Sequence, residues 1–179
     1  MINHEHKFIF VHIPRTGGTS IEAQFQYDER TDRTKHWNLN DWKQQLGHDI
    51  FRNYFKFVFV RNPWDIMISK YLDETIHSRF SGSFKHFLLN YHPWKHEHGD
   101  SFFDYFLPEQ MDFIGRYETR EKDLKYISKK INKKIRSKLH RRQIKNKHYT
   151  EYYDDETRQI VAERYAQDIE YFGYKYGVS

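Results

Sequence analysis

The chain has 179 residues, a length that suits one hydrophobic core, and a single domain over residues 1–179 is expected. Only 37% of residues are hydrophobic while 18% are aromatic, so the core must be built largely from Phe, Tyr and Trp, which bury a large area each. The 30 Lys and Arg outnumber the 25 Asp and Glu, which favours anionic partners, and the absence of cysteine excludes disulfides, thiolate metal sites and cysteine nucleophiles.

The segment from Lys7 to Ile13 is rich in β-branched and aromatic residues and stops at Pro14, the pattern of a buried strand. It is short and contains His12, so it is neither a signal-peptide core nor a membrane span, and a cytoplasmic protein is expected. Gly17 and Gly18 supply a turn, after which Thr19 or Ser20 is expected to cap a helix through Ile21, Ala23 and Phe25. Asn40 to Leu46, closed by Gly47, predicts a short helix downstream of His36.

A second unit of strand, loop and helix starts at Tyr54. The run to Val60 is nearly all apolar, as in a strand covered on both faces, and it ends at Arg61-Asn62-Pro63. From Trp64, the residues Ile68, Tyr71, Leu72 and Ile76 recur at helical spacing. Met111 to Gly115 reads as a third strand and Thr119 to Ile131 as its following helix, so the alternation predicts an α/β fold with a short parallel sheet. Residues 129–147 hold ten Lys or Arg and no acid, a loop that calls for an anion unless it is simply a solvated surface. Asp154 is expected to cap a final helix with Ile160, Val161, Tyr165, Ala166 and Ile169 on its apolar face.

The chemistry concentrates in Arg15-Thr16-Gly17-Gly18-Thr19-Ser20. Two glycines let the backbone curl around a ligand, and the free amides, three hydroxyls and one guanidinium converge there as they would on an anion. A strand-to-helix turn capped by Ser or Thr is the plainer alternative. No Lys follows the glycines, as it would in a nucleotide kinase or hydrolase, so the pattern argues against metal-bridged ATP chemistry.

The run His12-Ile13-Pro14-Arg15-Thr16-Gly17-Gly18-Thr19-Ser20 resembles the 5'-phosphosulfate loop of sulfotransferases, the carbohydrate sulfotransferases in particular. Phe59-Val60-Arg61-Asn62-Pro63-Trp64-Asp65 with Ser69 resembles that family's second signature, which grips a 3'-phosphate. The likeness continues through Asp112 to Glu118 and from Tyr152 to Tyr174. It implies a three-layer fold like that of P-loop nucleotide kinases. The donor implied is 3'-phosphoadenosine 5'-phosphosulfate (PAPS), with PAP as product, and the acceptor is a hydroxyl, expected on a saccharide.

The same resemblance implies that Arg15, Thr16, Gly17, Gly18, Thr19 and Ser20 hold the phosphosulfate and that Arg61 and Ser69 hold the 3'-phosphate. Arg142, Lys145 and Lys147 are implied as contacts from a late basic loop, to the 3'-phosphate or to an acidic acceptor. The family more often has Lys where this chain has Arg15; an Arg keeps the stabilising charge but donates no proton to the leaving oxygen. The acceptor hydroxyl needs a base, and His36 lies where some members carry theirs, although beside Trp37 it could be a packed ring. His12 is expected to be structural, with its ring near the loop. His92, His96, His98 and Asp100 match no dependable metal spacing, and no metal is expected. Two rivals remain, a nucleic-acid-binding module suggested by the basic run and aromatics, and a nucleotide kinase on the same fold. The first leaves both signatures unexplained, and no nucleic-acid partner is expected.

Overall fold

The computed structural model describes residues 1–25, 34, 36–90, 101–136 and 147–178. It is a mixed α/β structure whose residues gather into two compact units, Met1–Val60 with Phe102–Arg141 and Arg61–Ser101 with Arg142–Ser179.

The first unit holds a four-stranded sheet in the order β1 (Ile2–Asn3), β2 (Phe8–Val11), β3 (Phe55–Val60) and β4 (Phe113–Arg116). The three strands read from the sequence run parallel, with Phe10 opposite Phe57 and Phe57 opposite Phe113. The two-residue β1 adds an antiparallel edge beside β2, a strand too short for any hydrophobic period to mark. Alternation along the strands turns Phe8, Phe10, Phe57 and Phe59 to one face. There they form a core with Ile21 of α1 (Gly18–Glu22) and Leu124 and Ile127 of the α5 helix (Arg120–Lys130). Ile9, Val11, Val58 and Val60 on the opposite face are equally buried. Burial on both faces is why these strands read as unbroken apolar runs.

Two expectations for this unit are corrected. Neither Thr19 nor Ser20 caps α1; Gly17 occupies the cap position with φ +89°, so the backbone itself turns into the helix without a side-chain bond. The following helix is α2 (Leu39–Asn53), longer than predicted, capped by Asn38 in a reciprocal box with Asp41. Gly47, read as a helix end, is non-helical with φ +73° and divides α2 into two helices across a kink, so the first of them closes at the residue the sequence marked.

In the second unit, α3 (Pro63–Ile76) starts with Pro at its first position, where the missing N–H costs nothing. It packs with α4 (Phe84–Asn90) and α6 (Asp155–Arg164). Asp154 caps α6 as expected, its carboxylate accepting from Thr157 N at 2.8 Å and Thr157 Oγ1 at 2.6 Å. The last helix does not run continuously: it breaks at Tyr165, and α7 (Ala166–Phe172) follows. Tyr165, at the break, is fully buried with its hydroxyl beside Lys70 and Met67. Among the described residues, no helix is long and apolar enough to cross a membrane.

Candidate active site

The loop after β2 is fixed from within. Thr16 is buried and donates its hydroxyl to the Ile13 carbonyl at 2.8 Å, so this side chain shapes the loop. Arg15, half-buried, has φ +68°. A left-handed, non-glycine residue costs local conformational energy and is typical of loops that must aim a side chain. Gly17 shares that conformation at no such cost. Gly18 begins α1, Thr19 is half-buried, and Ser20 is buried. The α-helix proper has only five residues before a 3-10 turn at Ala23–Phe25, so cations and loop amides matter more here than a helix dipole.

Gly18 has a steric reason to be glycine. A Cβ there would fall on the His12 ring, 2.7 Å from Cγ and closer still to Cδ2 and Nε2. That ring is almost wholly buried, stacks on Phe10 with centroids 5.6 Å apart, and places Nδ1 2.9 Å from Glu22 Oε1. Glu22 is buried on α1, and its Oε2 has no hydrogen-bond partner among the described residues. The His12 ring is thus packed against the loop. Its acidic partner went unread, although an acid on the helix directly after the glycines was the available signal.

His36 is brought to the same place. Its Nδ1 lies 3.1 Å from the His12 carbonyl oxygen, and the two rings have centroids 4.9 Å apart. A carbonyl only accepts, so Nδ1 carries the hydrogen, and in the neutral ring the lone pair is on Nε2. The base predicted from the sequence thus sits beside the first residue of the loop.

From β4 the structure adds two residues that sequence reasoning missed. Tyr117 and Arg120 approach Gly17 so closely that a Cβ there would lie 3.1 Å from Arg120 Nη1 and 3.1 Å from the Tyr117 ring. Nothing in the local pattern signals this contact, because about a hundred residues separate its partners.

In the second unit, Arg61 is nearly buried and bonds Asp65 through Nε at 2.7 Å, with Nη2 2.6 Å from the same oxygen. Asp65 lies in the first turn of α3, and its spacing of four from Arg61 was the signal for the pair. Ser69 is buried two turns further along α3 than the helix start. Asn62 caps α3 through Trp64 N at 3.1 Å, while its amide donates to the carbonyls of Lys175 and Val178 at 3.1 Å each. Tyr153 donates its hydroxyl to Trp64 O at 2.8 Å, and burial pushes its pKa well above the ordinary phenol value, so this donor keeps its proton. Asn62 and Trp64 are thereby tied to the last part of the chain.

Lys147 is exposed ahead of a 3-10 turn at Tyr149–Tyr152. Arg142 and Lys145 lie outside the described residues, as do His92, His96, His98 and Asp100. Among the described residues no cluster of His, Asp and Glu could hold a metal ion.

A turn with two positive-φ residues, Arg15 and Gly17, follows β2, and an arginine paired with Asp65 follows β3. The chain matches the sulfotransferase family over residues 1–175 and belongs to it. Its activity is therefore sulfuryl transfer. It is also similar to a protein of Archaeoglobus fulgidus described as uncharacterized, 33% identical over 95 residues, covering 50% of this chain and 77% of that one. No solved structure matches the chain.

Proposed function

We propose that this sulfotransferase takes its sulfuryl group from PAPS and delivers it to a hydroxyl of a carbohydrate, on a three-layer fold like that of P-loop nucleotide kinases. The observation that carries the donor half is the loop from His12 to Ser20, where Arg15 and Gly17 are both left-handed and Thr16 is spent on shaping the backbone. The carbohydrate half rests on the likeness of that loop to the carbohydrate sulfotransferases.

The donor supplies an activated sulfuryl group. Arg15 and the amides of residues 17–19 stabilise negative charge growing on the departing oxygen, the largest kind of contribution in such transfers, while the Thr16 and Ser20 amides bond the Ile13 and Gly17 carbonyls within the loop. Arg61, oriented by Asp65, and Ser69 hold the 3'-phosphate. His36 takes the acceptor hydroxyl's proton on Nε2 while its Nδ1–H stays on the His12 carbonyl. Arg142, Lys145 and Lys147 serve as contacts to the 3'-phosphate or to an acidic acceptor.

The test is a screen of nucleotides for thermal stabilisation. At 100 times its dissociation constant a ligand that binds only the native state adds about 2.7 kcal/mol. For a chain of this size that corresponds to a rise of roughly 5–10 °C in Tm. PAP is expected to give that rise with EDTA present. Stabilisation by magnesium-ATP and none by PAP would reject the reading in favour of a kinase.

A further inference from the structure

We infer that Arg120 is a second cationic ligand of the donor's 5' anionic group, acting with Arg15; this rests on the PAPS reading above. Arg120 opens α5, and its Nη1 comes within 3.1 Å of where a Cβ on Gly17 would stand. The contact is made to the left-handed residue at the centre of the anion loop. The guanidinium is placed there by the Tyr117 ring, with 5.8 Å from Cζ to the centroid, and by a backbone bond from Arg120 N to Tyr117 O at 3.3 Å.

Helix stability does not account for this arrangement. The first turn of a helix favours anions, and a cation at its first position is unfavourable. The acidic residues that do suit this helix start are Glu121 and Asp123. Asp123 is engaged locally, accepting from Arg116 N and from Thr119 Oγ1 at 2.8 Å each. The cation at position 120 is instead turned across to another loop, the one whose amides suit an anion. A bound phosphosulfate brings negative charge to that loop, and a second guanidinium beside it supplies charge-assisted bonds that Arg15 alone does not exhaust.

The experiment compares dissociation constants of PAP, adenosine 5'-phosphosulfate and adenosine 3'-phosphate for the wild type, Arg120→Gln and Arg120→Lys. Gln keeps the polarity and part of the reach of the side chain but not its charge. Arg120→Gln is expected to weaken PAP and adenosine 5'-phosphosulfate by about tenfold or more and to leave adenosine 3'-phosphate unchanged. Arg120→Lys is expected to recover most of the loss. Retained adenosine 3'-phosphate binding also shows that the variant is folded. Wild-type affinity for PAP in Arg120→Gln, or equal losses for all three ligands, would overturn the inference while leaving the donor assignment standing. If the wild type itself binds neither PAP nor adenosine 5'-phosphosulfate, the donor assignment fails and the inference with it.

Discussion

Replacing Gly18 by Ala separates two reasons for a glycine in the anion loop. Gly18 is not in the left-handed region, so with open space around it the added methyl would stabilise the start of α1 by roughly 0.5–1 kcal/mol through reduced backbone entropy. The structure predicts the opposite sign, because the methyl would land on the His12 ring at 2.7 Å or less from three of its atoms. The ring has no easy retreat: it is buried, stacked on Phe10 and bonded to Glu22. Overpacking of this kind costs about 1–3 kcal/mol. For a chain of this size that lowers Tm by about 2–12 °C. The assay is thermal and urea unfolding of Gly18→Ala, His12→Ala and the double variant. His12→Ala has its own cost, since it strips the buried Glu22 carboxylate of its partner. The double variant should nevertheless lose less than the sum of the singles, by about 0.5–3 kcal/mol, because the ring that clashes is gone. A stabilised Gly18→Ala, or strictly additive losses, would refute the steric argument.

Arg61→Ala is expected to weaken PAP at least tenfold and adenosine 5'-phosphosulfate little, since charge-assisted bonds to phosphate are worth roughly 1.5–3 kcal/mol and only PAP has the 3'-phosphate; equal losses in calorimetric titrations would count against that role. His36→Ala should leave donor affinity nearly intact and lower turnover by about a hundredfold or more, whereas Arg15→Ala should damage both and Arg15→Lys should retain much of each. Steady-state turnover beside donor dissociation constants checks this, and a His36→Ala enzyme of normal rate would move the search to His12. Asp154 has its pKa held below the ordinary carboxylate value by the bonds from Thr157. Its cap on α6 therefore contributes fully above that ordinary value and is lost as pH falls through the lowered one. The Tm difference between wild type and Asp154→Asn should change across that acid range and stay flat above it.

Much of this protein is legible in its sequence because the deciding interactions are short-range. The runs Phe8–Val11 and Phe55–Val60 announce strands covered on both faces, Pro63 marks the first position of α3, and Asp154 marks a cap whose partner is three residues away. The two signature loops are local too, so their residues and order could be recognised before any fold was known. The start and full extent of α2 were not read: Asn38 caps it, its side chain accepting from Asp41 N while the Asp41 carboxylate accepts from Asn38 N, and helix resumes beyond the kink at Gly47. What only the tertiary structure decided are the contacts that depend on how the strands lie side by side. The parallel pairing of β2 with β3 and of β3 with β4 carries Tyr117 and Arg120 from a distant segment to Gly17. His36 likewise meets the His12 carbonyl, 24 residues away in sequence. No periodicity or spacing encodes such meetings, because closing a long loop is set by the packing of the whole core and not by the residues that finally touch.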